Sequence, residues 1–322
     1  MQHTMAKGAP KAPAVRTDEK RSFRKRFWAQ RYLMILTLPA VVWMLVFNYV
    51  PMYGIIIAFQ EYNPFLGFAG SPWIGLANFQ ELFIDPFFLD ALANTFQISV
   101  AKLVFGFPAP ILLAILLNEL RGQRFKRVVQ SLSYLPYFIS WVFVVGFMYT
   151  LLDPRTGALS GLLQALGLID AERMLMGDPE AFLTLVVVSD IWKNIGWNSI
   201  IFLAAIAGID PQLYEAAVVD GAGRFRRIWH ITLPALKPTI VILLILAVGG
   251  LVNTNFDQLF LMQNSMTQDE ANVLQIYAYD MGIVLGRFSY GTAVGLFQSV
   301  LAFALMVSAN YASRRFTGES LF

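Results

Sequence analysis

Six long apolar stretches dominate this chain, near residues 32–58, 93–118, 128–152, 181–206, 238–262 and 291–313. Each has the length, about 20 residues or more, that a helix needs to cross about 30 Å of hydrocarbon. Water is absent at that depth, so backbone polar groups must be satisfied within the segment, and each stretch is expected to be helical. Pro39, Pro51, Gly106, Pro108, Pro110, Pro136 and Gly146 interrupt the runs without defeating them, because neighbouring helices re-satisfy freed backbone groups. The composition agrees: 57% of residues are hydrophobic and 14% charged, against about 45–50% and 25% in soluble domains. The expected fold class is all-α, a polytopic membrane helix bundle with six transmembrane helices.

The basic residues orient the bundle. Nineteen of the 24 Lys and Arg fall before the first span, in Arg121–Arg127, in Arg224–Lys237 and at Arg314 and Arg315. The alternate loops hold only Arg155, Arg173 and Arg287, and are acidic, with Glu61, Glu81, Asp85 and Asp90 in the first and Asp153, Asp170, Glu172, Asp178 and Glu180 in the second. The positive-inside rule therefore places both termini in the cytoplasm. The expected organisation is a basic cytoplasmic extension over 1–31, a transmembrane domain over 32–313 and a cytoplasmic tail over 314–322. The extension has too long a basic region and no small-residue cleavage site, so it does not read as a cleaved signal peptide. It reads as an anchor orienting the first span, in preference to a helix lying on anionic lipid.

Several chemistries are excluded. There is no cysteine, and His3 and His230 have no companions that suggest a metal site or a catalytic dyad. No Gly-x-x-x-x-Gly-Lys-[Ser/Thr] phosphate loop is present. Catalytic residues, a metal, a cofactor held by this chain and a nucleic-acid partner are not expected.

The segment 208–235 is the most informative. Asp210-Pro211 is a helix start, with Asp as N-cap and Pro at the first helical position. Glu215-Ala216-Ala217 continues a short helix whose small side chains let another surface approach. Gly221 and Gly223 permit a sharp turn, and a basic, aromatic stretch then leads to Pro234. The expected result is a helix, a turn and a second helix at the cytoplasmic face.

That pattern, Glu-Ala-Ala, three residues, Gly, nine residues, Ile-x-Leu-Pro, resembles the signature loop of ABC importer permeases. It is matched here at Glu215, Ala216, Ala217, Gly221, Ile231, Leu233 and Pro234. Asn48–Gly54, Ala58-Phe59, Tyr62-Asn63-Pro64 and Trp73–Phe79 are similar to the sugar-importing branch. Within it the chain resembles permeases for oligosaccharides and polysaccharide fragments, alginate importers among them. The resemblance implies that Glu215, Ala216, Ala217, Asp220 and Gly221 contact a separate ATPase, and that ATP and Mg bind there. It also implies a second homologous permease, two ATPase subunits, an extracytoplasmic solute-binding protein and a sugar substrate. The setting it implies is a multi-pass place in the lipid of a bacterial inner membrane, with transport by alternating access.

Ionisable groups at bilayer depth usually face the protein interior or a water-filled cavity. The fourth stretch carries Asp190, Trp192, Lys193, Asn194, Trp197 and Asn198, and the end of the fifth carries Asn253, Asn255, Asp257 and, beside them, Gln258. Amides and carboxylates suit sugar hydroxyls, aromatics suit sugar faces, and a Lys suits a uronate carboxylate. These residues, Gln258 aside, are the candidate substrate path, with Asp190, Asn194, Trp197 and Ile201 expected on one helical face. The competing reading is an Asp190–Lys193 ion pair with Asn residues joining helices. Lys102 is expected to be a structural pair or a snorkelling residue.

Two other classes compete. An ion-coupled secondary sugar transporter would explain Asp190 and Lys193 but not the Glu-Ala-Ala loop. A membrane enzyme acting on a lipid-linked sugar would need a carboxylate or histidine constellation, and the acidic loops show no such spacing.

Overall fold

The computed structural model describes residues 30–120, 122–170, 172–318 and 320–321. Most of the extension expected over 1–31 lies outside the described residues. Those residues are almost wholly helical, and their only β contact is an isolated antiparallel bridge between Gln60 and Trp73. The chain divides into two units, Met1–Gly54 and Ile55–Phe322.

In the first unit, α1 (Arg31–Met44) contains Pro39 and has no buried residue. It passes into a π-helical turn over Leu45–Tyr49, just before Pro51. A helix apolar on all sides is one suited to lipid.

The second unit begins with α2 (Ala77–Ile84), α3 (Pro86–Ala101) and α4 (Pro108–Glu119). It continues with α5 (Gln123–Tyr134), α6 (Trp141–Leu151), α7 (Pro179–Ala207) and α8 (Pro211–Val219). Then come α9 (Leu233–Gly249), α10 (Phe256–Met262), α11 (Leu274–Tyr279) and α12 (Phe288–Thr317). Four helical runs are long and apolar enough to span a membrane: Arg31–Phe59, Pro86–Glu119, Arg224–Gly249 and Phe288–Arg315. Two bent pairs, α5 with α6 and α7 with α8, raise the number to as many as six.

Three prolines pass through these long runs by a common device. Pro51, Pro108 and Pro234 each follow a π-helical turn, at Leu45–Tyr49, Lys102–Gly106 and Ile228–Thr232. A proline lacks an N–H, and its ring crowds the carbonyl four residues back. Those carbonyls belong to Phe47, Val104 and His230, the middle residue of each π turn. The wider turn makes room for the ring without ending the helix.

Pro136 does break its run. The stretch expected as one span over 128–152 turns by 103° between Gln123–Phe138 and Trp141–Leu151. A 3₁₀ turn over Leu135–Phe138 leads into extended Ile139 and Ser140. The carbonyls freed at this corner accept from Lys193 Nζ, at 3.2 Å for Pro136, 2.8 Å for Tyr137, and also for Ile139. The fifth span also differs from its expected bounds of 238–262. Its helix starts at Arg224 and ends at Gly249, where a second glycine follows; Asn255 then adopts a left-handed φ of 70° and caps α10. The apolar residues of α10 had extended the run in sequence.

The core of this unit forms three apolar clusters. One gathers Val144, Val186, Leu259 and Ile276. A second gathers Phe88, Leu274, Tyr290 and Val294. The third joins α4, α7 and α9 through Ile115, Phe202 and Leu236. One polar knot ties the segment after α2 to α11 and α12. The hydroxyls of Tyr277 and Tyr290 donate to Asp85 Oδ2 at 2.5 and 3.0 Å, and Arg287 pairs with Glu81 at 2.6 Å. Burial alone would raise the Asp85 pKa; the two hydroxyls and the N–H groups of Phe87 and Phe88 outweigh it and hold the carboxyl below its ordinary value. Glu81 and Asp85 of this acidic loop are thus committed to structural partners.

Candidate functional site

A cavity of about 310 Å³ lies between α3, α4, α7 and α9, with the segment after α9 along one side. Its wall on α7 can be derived from helix geometry. Taking Asp190 as the origin and about 100° per residue, Ile201, Asn194, Asn198, Ile191, Phe202 and Ile195 fall within about 140° on one side. All six line the cavity with Asp190. Trp197 falls about 20° the other way, Lys193 about 60° and Trp192 nearly opposite. None of these three lines it.

Asn198, rather than Trp197, therefore completes the polar face with Asp190 and Asn194. Trp197 stacks on Tyr137 with ring centroids 4.5 Å apart and planes 5° from parallel. Lys193 is buried against the corner carbonyls at Pro136–Ile139, and Trp192 is half exposed. The face is turned this way because α7 presses Gly196 against Ser133, where any side chain would collide with backbone.

Asp190 is paired with Lys102, not Lys193. Lys102 Nζ lies 3.3 Å from Asp190 Oδ1, 3.0 Å from the Thr254 carbonyl and 2.6 Å from Gln258 Oε1. Gln258 is fully buried, and its amide nitrogen donates to the Val186 carbonyl and Ser189 Oγ at 2.8 and 3.0 Å. This network joins the π turn after α3 to α7 and α10. The side-chain amides of Asn194 and Asn198 have no hydrogen-bond partner among the described residues. Asn253 also lines the cavity, while Asn255 serves as N-cap to α10, and Asp257 is exposed in its first turn. Ser99 was not expected, and Gln258 was noted only as a polar residue ending the fifth stretch. Gln258 carried a faint signal, as an amide at the end of an apolar run.

The other feature is α8. Asp210 caps it by accepting from the Gln212 N–H at 2.9 Å. At its far end Gly221 takes a φ of 73°, the Ala222 N–H reaches the Ala217 carbonyl at 2.8 Å, and the Gly221 N–H reaches Val218 at 3.0 Å. This pair of bonds is a Schellman closure. Tyr214 Oη and Thr232 Oγ1 lie 2.9 Å apart and tie α8 to the base of the next long helix. The helix turns 71° from α7 and contains no buried residue. Glu215, Ala216, Asp220 and Gly221 are exposed and Ala217 half-buried, with Leu213, Val218 and Val219 exposed beside them. An apolar, well-capped helix left uncovered is a surface suited to a partner.

Comparison with known proteins agrees with this architecture. Residues 106–318 match the family described as binding-protein-dependent transport system inner membrane component, and the chain belongs to that family. It is a multi-pass membrane permease component. It is 42% identical to the polygalacturonan/rhamnogalacturonan transport system permease protein YteP of Bacillus subtilis, over 98% of both chains. It is equally similar, at 42%, to protein LplB of the same organism, over 97% of both. A chain in the crystal structure of a bacterial alginate ABC transporter, in complex with an alginate pentasaccharide-bound periplasmic protein, superposes with a TM-score of 0.83 at 37% identity. That match covers 93% of this chain and 99% of the other.

Proposed function

We propose that this chain is the transmembrane subunit of an ATP-driven importer that carries an oligosaccharide or polysaccharide fragment by alternating access. The observation that carries this reading is α8: a rigid, capped helix bearing Glu215, Ala216 and Ala217 on an exposed surface. It is fastened by Tyr214 to a helix that runs on through the membrane domain. A push on α8 therefore reaches α9, which forms one cavity wall. ATP and Mg bind in separate ATPase subunits, whose closure moves α8. A second homologous permease supplies the other half of the pathway, and an extracytoplasmic binding protein delivers cargo. Both termini and α8 face the cytoplasm, as the basic loops require.

The sugar class is supported by the relatives, named for polygalacturonan/rhamnogalacturonan and alginate transport, and by the amide-lined cavity. The reading is tested by Glu215→Lys in the assembled transporter. Reversing the charge should abolish ATP-driven uptake while the complex retains its fold. Unimpaired uptake would overturn the coupling role.

A further inference from the structure

We infer that Lys102 is the residue by which this subunit discriminates acidic from neutral glycans, and that Asp190 stands in for the cargo's carboxylate when the pathway is empty. The inference rests on the sugar-import reading and adds a substrate class to it.

Three observations carry it. First, the cavity is elongated: Asp190 to Phe202 spans about 18 Å along α7 at 1.5 Å per residue. Its charged pair sits at one end, Asn194 and Asn198 in the middle, and Ile201 and Phe202 at the other end. Lys102 is the only cation and Asp190 the only anion in its lining, so the empty wall is neutral.

Second, the three acceptors of Lys102 are unequal. Gln258 at 2.6 Å and the Thr254 carbonyl at 3.0 Å hold the ammonium at the wall. Gln258 is itself fixed by Val186 and Ser189, and is fully buried. The Asp190 contact, at 3.3 Å, is the longest, beyond the roughly 2.7–2.9 Å of a tight charge-assisted bond. Asp190 is also the only carboxylate of the three, so an incoming carboxylate can take its place like for like, with the released Asp190 then solvated in the cavity it lines.

Third, the Asp190 side chain is the more exposed partner, at 21% against 15% for Lys102. Both side chains line the cavity, so a uronate carboxylate arriving there meets the pair directly. The neighbouring unpartnered amides of Asn194 and Asn198 then serve hydroxyls, which acidic and neutral sugars share. Lys193, committed to three carbonyls outside the cavity lining, takes no part.

The test uses the complete transporter with its binding protein, and two probes of one length: a uronic-acid oligosaccharide and its carboxyl-reduced counterpart. ATPase stimulation is read for each. In Lys102→Gln, the acidic-to-neutral ratio should fall about tenfold, the worth of one charge-assisted hydrogen bond. In Asp190→Asn, which removes the competing carboxylate, the ratio should rise. Lys102→Arg should restore a preference for the acidic probe. Equal losses on both probes in Lys102→Gln, or an unchanged ratio in Asp190→Asn, would overturn the assignment. If neither probe stimulates the unmodified transporter, the sugar-import reading fails instead. If Lys102→Gln does not assemble, Asp190→Asn alone decides.

Discussion

A Cβ placed on Gly196 would lie 2.0 Å from the carbonyl oxygen of Ser133. The contact is backbone against backbone, so neither partner can rotate away. It sets how deeply α7 lies against α5, and so which residues of α7 face the cavity. Gly196→Ala should destabilise the protein by about 1–3 kcal/mol, the usual cost of overpacking. Gly146→Ala, which meets nothing within 4 Å, should be neutral or slightly stabilising. Thermal melting of the purified complex checks both. Equal melting temperatures for the two variants would show that the contact does not constrain the packing.

Lys193→Met should cost about 3 kcal/mol, because it strips a charged donor from three carbonyls at the corner between α5 and α6. Its effect on acidic and neutral sugars should be equal, since the ammonium lies outside the cavity lining. A selective loss of acidic substrate would place Lys193 in the pathway after all.

Asp85 gives an acid-side dependence with a definite sign. Its folded pKa is depressed below 3.8. Its contribution is therefore full above the unfolded value and is lost as pH falls through the folded one. Asp85→Asn keeps a good N-cap for α3 but removes the ionised acceptor of Tyr277 and Tyr290. The variant should be less stable at neutral pH, with a shallower loss below about pH 4. Parallel acid-melting curves for the two proteins would contradict this role.

Gly221→Ala tests the closure of α8 without a clash with neighbours, as a Cβ there meets nothing within 4 Å. The left-handed φ alone should cost about 1–2 kcal/mol. Fraying of the last turn should lower transport-coupled ATP hydrolysis more than it lowers the melting temperature of the complex. The reverse order would mean that the turn serves folding and not coupling.

What was legible in the sequence was local. Asp210-Pro211, Glu215-Ala216-Ala217 and Gly221 lie within one short helix and its caps, and each acts on its own neighbours. The apolar runs were visible because lipid imposes a minimum length. The Lys102–Asp190 pair was not visible, because its members are 88 residues apart and Gln258 completes it from a third element. Trp197 shares the helical face of Asp190, Asn194 and Ile201, yet lies about 20° outside the arc that lines the cavity. Helical period gives relative angles, but only the Gly196–Ser133 contact turns the face toward the cavity. Pro136 and Pro108 look alike in sequence. One breaks its run at a corner where the Lys193 ammonium meets the freed carbonyls, and the other passes through a π turn.

The most direct test of the whole account is ATP-driven uptake of a labelled acidic oligosaccharide into vesicles holding the complete transporter, with the ion gradients collapsed. Uptake should require ATP hydrolysis and the binding protein, persist without a gradient and disappear in Glu215→Lys. Uptake that follows an ion gradient and ignores ATP would contradict it.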